Sequence, residues 1–131
     1  EYHLCSRLGM KPGVRALDVG CGVGGPMRNM AMFSGATIEG ITINEYQVNI
    51  GNKYNEKLGL DKLCKLTRGD FQELPWNDKT FDVAYAIEAT CHSPDRVKTF
   101  SGVARVLKSG GLFGGYEWVE MGQGYAVVSP T

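Results

Sequence analysis

Four glycines fall within six residues, Gly20, Gly22, Gly24 and Gly25, directly behind the apolar run Val14 to Val19. Pro26 follows them and opens a helix-like pattern. Glycines at such a turn let a ligand come close to the backbone, and the unpaired N–H groups and dipole of a helix start favour an anionic group. Gly20, Gly22 and Gly25 satisfy the G-x-G-x-x-G spacing of a dinucleotide fold, a weak match that a ligand-free tight turn would also satisfy. A dinucleotide site also wants a carboxylate at the tip of the second strand for the ribose diol. The stretch "EGITIN" puts Thr42 and Asn44 there, with Glu39 inside the strand.

Asp18 stands two residues before the first glycine and gives D-x-G-x-G-x-G across Asp18, Gly20, Gly22 and Gly24. This resembles the cofactor loop of S-adenosylmethionine-dependent methyltransferases. The resemblance implies that Asp18, Gly20, Cys21, Gly22 and Gly24 receive the methionine part of the cofactor, whose amine suits a carboxylate and whose carboxylate suits backbone N–H groups. The stretch "RGDFQELPW" places Asp70 and Phe71 just past the third strand, where such enzymes bind the adenine amino group and pack its ring. Asp70 as a turn residue and Phe71 as a core residue are the plain alternatives.

Four stretches, "LDVGCGVGGP", "INEYQVNIGNKYNEKLGL", "FDVAYAIEATCHSPD" and "LKSGGLFGGYEWV", resemble segments of sterol 24-C-methyltransferases from about Val14 to Val119. In that family a carboxylate at the second strand tip is not expected, so Thr42 fits, and Gln47 on the next helix could reach the ribose. The implied reaction is attack of a sterol side-chain alkene on the methyl group of S-adenosylmethionine. A carbocation forms and a base removes a proton, so cation stabilisation and one placed acceptor are needed. Glu88 and His92 follow the fourth strand and are the candidates for those roles, with Tyr116 at the end of the fifth. A surface carboxylate, a loop histidine and aromatic core packing are the plain readings of the three. Strand alternation puts Tyr116 and Trp118 on one face and Glu117 on the other.

The elements that must hold these residues alternate. A short helix over Glu1 to Met10 leads in, and Val14 to Val19 is a buried strand. A helix starts at Gly25-Pro26, with proline tolerated at the first helical position. Ala36 to Ile43 is the second strand. Asn44 and Gln47 form a capping-box pattern for a helix that Gly59 ends. Leu63 to Thr67 and Phe81 to Ile87 are the third and fourth strands. Ser93-Pro94-Asp95 caps a helix to about Leu107, and Gly110-Gly111 turns into a fifth strand through Trp118. Such alternation predicts a parallel sheet with helices on both faces. With the resemblance, it becomes a Rossmann-like class I methyltransferase core with strand order 3-2-1-4-5.

The chain has 131 residues, enough for one α/β core, so a single cofactor-binding domain over 1–131 is expected. Fourteen basic and fourteen acidic side chains cancel. Nothing in that balance draws nucleic acid, and a small molecule is the expected partner. No apolar run nears the ~20 residues of a membrane-spanning helix. Peripheral membrane contact stays open, and the sterol reading puts the protein on the cytoplasmic side, at the endoplasmic reticulum membrane. Cys5, Cys21, Cys64 and Cys91 lack zinc-site spacing and read as reduced thiols. The start at Glu1 and the family's longer upstream and downstream parts make this look like a piece cut after the fifth strand. That strand would then be an edge from Leu112 to Val119 able to recruit a second copy. A non-catalytic adenosine-ligand binding module and a same-fold methyltransferase for another lipid or aromatic substrate are the alternatives.

Overall fold

The run Ala16 to Val19 is apolar except for Asp18, and it forms the central strand of a sheet. In the computed structural model, backbone is described for residues 2–20, 23–70, 73–86, 96–115 and 126–128, and side chains for 5–20, 23–70, 73–86 and 101–114. Strand β1 (Arg15–Val19) lies between β2 (Thr37–Thr42) and β4 (Phe81–Ala86). Strand β3 (Cys64–Arg68) borders β2, and β5 (Leu107–Gly115) borders β4. Strand β6 (Ala126–Val128) borders β5, giving the order β3-β2-β1-β4-β5-β6. Every pairing is parallel. Helices α2 (Gly25–Ser34), α3 (Glu45–Lys57) and α4 (Arg96–Val106) lie on the β1–β2, β2–β3 and β4–β5 connections, and α1 (Tyr2–Leu8) leads into β1.

Because side chains alternate along a strand, the sheet divides its core in two. Ala16, Ile38, Leu66, Val83 and Tyr85 face a layer built from Cys5 and Leu8 of α1 and Met27, Met30 and Ala31 of α2. Leu17, Val19, Ile41, Phe81 and Phe113 face Val103 and Val106 of α4, with Leu74 from the β3–β4 connection. Trp76 packs there edge-on against Phe81, with ring centroids 5.2 Å apart.

Three local expectations change. Asn44 does cap α3, accepting from the Gln47 N–H at 3.1 Å, but Gln47 does not complete the box. Its side-chain oxygen instead accepts from the Thr42 hydroxyl at 2.9 Å, so this residue ties the helix start to the β2 tip. Gly110 and Gly111 do not precede β5; they lie inside it. Phe81 pairs with Leu107 and Val83 with Leu112, so β5 bulges between those pairs. Gly110 has φ +79°, and a Cβ on Gly111 would sit 2.9 Å from both the Asp82 and Lys108 carbonyl oxygens. The sheet also does not end at β5. Ala126 to Val128 pairs with Leu112 to Gly114, so the edge expected to recruit a second copy is covered along those residues by the chain itself.

Helix α3 sits unusually near the β1–α2 turn. A Cβ on Gly51 would lie 2.5 Å from Leu66 Cδ2 and 2.7 Å from the Val23 carbonyl oxygen. Overpacking of this kind costs about 1–3 kcal/mol. Gly51→Ala is therefore expected to lower the urea midpoint by an amount in that range, whereas the same change at Gly25, where a Cβ meets nothing within 4 Å, is expected to leave it nearly unchanged.

Candidate functional site

The carboxyl ends of parallel strands share one edge, and the strand order reverses between β1 and β4, the place where open α/β sheets hold their ligands. Backbone bonds lock the first three tips together. The Gly20 N–H donates to the Ile41 carbonyl at 3.0 Å, and the Gly69 N–H donates to the Thr42 carbonyl at 3.0 Å. Behind Gly69 a turn closes from the Glu73 N–H to the Asp70 carbonyl at 2.9 Å. Gly20, Thr42 and Asp70 thus stand at one rim, Thr42 buried and Asp70 exposed.

The turn from β1 into α2 uses left-handed backbone at Gly20 (φ +81°) and at Gly24 (φ +86°), which caps α2. Because Gly24 has no side chain, the cap leaves the first-turn N–H groups without a side-chain acceptor of its own, and Pro26 removes one donor that would need none. Arg28, one turn into the helix, is only 8% exposed and reaches across to α3. It donates to the Gly51 carbonyl at 3.3 Å and to Asn55 Oδ1 at 3.1 Å, and its guanidinium lies 5.4 Å from the Tyr54 ring centre. Asn55 continues the link to the Cys64 carbonyl at 3.2 Å. Arg28 is thus a positioning residue that sequence reasoning missed; the available signal was a basic residue between Met27 and Met30 on a helix face otherwise apolar.

Asp18 is 3% exposed and sits opposite Tyr85 of β4 in the pairing register. Burial pushes its carboxyl up to about 7, and the neighbouring Tyr85 side chain pulls less strongly in the other direction. Asp18 lies in the last two residues of β1, directly before the glycine turn. At the β2 tip the Thr42–Gln47 pair is neutral, and its further donor is the Gln47 amide. Ile43 and Tyr46, 66% and 72% exposed, flank this pair, and Val23 is exposed on the turn. They supply apolar surface at the rim that was also missed, although an isoleucine beyond a strand end and before a helix cap was its visible sign. Cys21, Gly22, Phe71, Glu88, His92 and Tyr116 lie outside the described residues, as do Glu117 and Trp118.

A surface cavity of about 310 Å³ opens at the opposite, amino-terminal edge of β1, β2 and β3, lined by Arg15, Glu39, Lys62 and Lys65 among others. Arg15 and Glu39 already pair across it, with Arg15 Nε 3.0 Å from Glu39 Oε2. That end carries strand starts, and none of the rim residues reaches it.

Residues 17–114 match a family model described as a methyltransferase domain. Among similar proteins, 24-methylenesterol C-methyltransferase 2 of Oryza sativa subsp. japonica is 54% identical over 119 residues, 91% of this chain and 33% of that protein. Sterol 24-C-methyltransferase erg6 of Schizosaccharomyces pombe is 50% identical over 119 residues, 91% of this chain and 32% of that protein. The chain spans about a third of the length of the relatives it matches. The crystal structure of the cyclase SpnF superposes with a TM-score of 0.79 at 33% identity, over 82% of this chain and 40% of that one. Geranyl diphosphate C-methyltransferase from Streptomyces coelicolor A3(2), solved with Mg2+, geranyl diphosphate and S-adenosyl-L-homocysteine, gives 0.78 at 27% identity, over 84% and 40%.

The raised Asp18 value has a consequence for stability. In the unfolded state the carboxyl ionises at the ordinary 3.8, in the folded state at about 7. The stability that protonated Asp18 contributes is therefore fully present below about pH 4 and is lost as pH rises to about 7, by on the order of 4 kcal/mol. Urea denaturation from pH 4 to pH 8 is expected to show this decline in the wild-type protein and a much flatter profile in Asp18→Asn.

Proposed function

Because this chain belongs to the methyltransferase-domain family, we propose that residues 1–131 form the cofactor-binding core of an S-adenosylmethionine-dependent C-methyltransferase acting on the side chain of a sterol. The observation that carries this reading is the identity of about half the residues, across nearly the whole chain, with sterol C-methyltransferases of plants and fungi. The rim is chemically compatible. A glycine turn with left-handed backbone and a helix start without a side-chain cap suits the carboxylate of an amino acid, and Asp18 beneath it suits the ammonium. The neutral Thr42–Gln47 pair suits a ribose through the Gln47 amide, with the exposed Ile43 beside the nucleoside and Asp70 at the adenine amino group.

When bound, S-adenosylmethionine supplies a methyl group made electrophilic by its sulfonium centre. The protein's own residues orient that group at the crevice between β1 and β4. Cys21, Gly22 and Phe71 complete the cofactor set in this proposal. Glu88 and His92 follow β4, whose described part ends at Ala86 on the same rim. Their roles are to stabilise positive charge on the alkylated alkene and to accept the proton it loses, with Tyr116 beyond β5 presenting an aromatic face to that charge. A sterol substrate gives the protein reason to work against the endoplasmic reticulum membrane from the cytoplasmic side. Among the described residues no helix is long and apolar enough to cross a membrane.

Calorimetric titration is expected to show binding of S-adenosylhomocysteine and none of NAD; the reverse order of affinity overturns the reading. In protein that transfers a methyl group to a sterol with a side-chain double bond, Glu88→Gln is expected to lower kcat by about a hundredfold or more while cofactor affinity stays within a few-fold. Turnover close to wild type in that variant would reassign Glu88 to structure.

A further inference from the structure

Arg28 stands in the first turn of α2, where its N–H closes the bond to the Gly24 carbonyl. Its guanidinium lies against the glycine turn: a Cβ on Gly24 would sit 3.0 Å from Nη1. The two hydrogen bonds described for this group both leave from Nη1 and both end on neutral oxygens, the Gly51 carbonyl and Asn55 Oδ1. The Tyr54 ring, its centre 5.4 Å away, favours a cation without neutralising it. Among the described residues no carboxylate pairs with Arg28, Asp18 included. A buried cation is thus held beside the turn with no bonded anion.

That placement runs against helix electrostatics. A helix start is the positive end of the dipole, and acidic side chains suit it. Helix α2 has no acidic residue in its first turn, and its Gly24 cap brings no side-chain acceptor. Arg28 adds a second source of positive potential behind the same backbone. Tying α2 to α3 does not require a charge, because a neutral side-chain amide can donate to the same two oxygens. A buried cation without an ionic partner costs more than that amide would. The geometry is also fixed: α3 comes so near that a Cβ on Gly51 would lie 2.7 Å from the Val23 carbonyl oxygen. The guanidinium therefore keeps one distance from the turn.

We propose that Arg28 is a specificity-determining residue of the glycine turn: its charge, added to that of the helix start, makes the turn select a ligand with a free carboxylate, which supplies the anion the protein leaves out. Arg28 acts through the turn backbone and does not touch the ligand. The proposal rests on the cofactor reading above, in which the amino-acid end of S-adenosylmethionine occupies this turn. It adds the residue that selects that end. A unit charge acting at short range through a partly screened medium changes affinity for an opposite charge by about tenfold.

The test compares two ligands by calorimetry: S-adenosylhomocysteine and its decarboxylated analogue, which keeps the nucleoside, the sulfur and the amine. The wild-type chain is expected to bind the first more tightly by about tenfold or more. In Arg28→Met, S-adenosylhomocysteine should bind about tenfold more weakly while the analogue stays within about twofold of its wild-type affinity. Arg28→Lys keeps the charge and should restore most of the preference. Asn55→Asp keeps the side-chain shape and sets a carboxylate on the Arg28 nitrogen. It should reduce the preference as Arg28→Met does, and it reads the effect even where Arg28→Met does not fold. A merely structural role would weaken both ligands alike, so equal losses in the variants overturn the proposal. So does a preference that survives Asn55→Asp in full, or equal wild-type affinity for the two ligands; each of these leaves the cofactor reading standing. No wild-type binding of either ligand overturns the cofactor reading and the proposal with it.

Discussion

The buried guanidinium of Arg28 ties α2 to α3 beside the glycine turn. Only 8% exposed, it is bonded to neutral oxygens, the Gly51 carbonyl and Asn55 Oδ1. A buried cation without its hydrogen bonds is costly, so α2 and α3 cannot separate or slide without exposing or orphaning it. Asn55 passes the constraint to the Cys64 carbonyl, and Asn52 adds two bonds to the Leu66 backbone, donating to its carbonyl at 3.0 Å and accepting from its N–H at 2.9 Å. Two helices and the outer strand are thereby fixed around the glycine turn. The absence of a side chain at Gly51 lets α3 come against the Val23 carbonyl, and the absence of one at Gly24 leaves room for the guanidinium itself, whose Nη1 would be 3.0 Å from a Cβ there.

The two edges of the sheet are built differently. At the amino-terminal edge charges are paired: Arg15 with Glu39 and Lys108 with Asp82. For Asp82, partial burial pushes the carboxyl up, but the Arg15 N–H and the Lys108 ammonium outweigh it and hold it below its usual range. That edge is a clasp. At the carboxyl-terminal edge the turn begins with left-handed glycine backbone, Thr42 and Gln47 form a neutral pair, Arg68 and Glu45 form an exposed ion pair, and Ile43 and Tyr46 lie open to solvent. One acidic group, Asp18, is held beneath that edge at a value near neutrality. Parallel strands impose the polarity of this arrangement, because all their ends of one kind fall on one side.

The same architecture serves more than one reaction. SpnF is described as a cyclase, yet its fold superposes on this one about as well as that of geranyl diphosphate C-methyltransferase. The shared part is the Rossmann-like core, and a core of that kind does not select a substrate.

The sequence by itself determined the alternation of strands and helices and the place of the glycine turn, and the order of the first five strands came from the family resemblance. The alternation and the turn follow from local causes: apolar runs of strand length, Asn44 as a helix cap, and Pro26 at the start of α2. It also put Asp18, Thr42 and Asp70 at strand ends, from which parallel topology brings them to one edge. Tertiary structure alone decided the rest. Whether Gln47 closes a capping box or reaches Thr42 depends on how the β2 tip meets α3. Whether Gly110 and Gly111 turn or bulge depends on the register that β5 takes against β4. Whether β5 is an edge depends on where the backbone returns after it, and Ala126 to Val128 return to it. Arg28, in sequence a lone basic residue on an apolar helix face, acquires its role from partners more than twenty residues away, and Asp18 acquires its raised value from the burial that folding imposes. Such properties belong to the distance between elements, which local propensity does not encode.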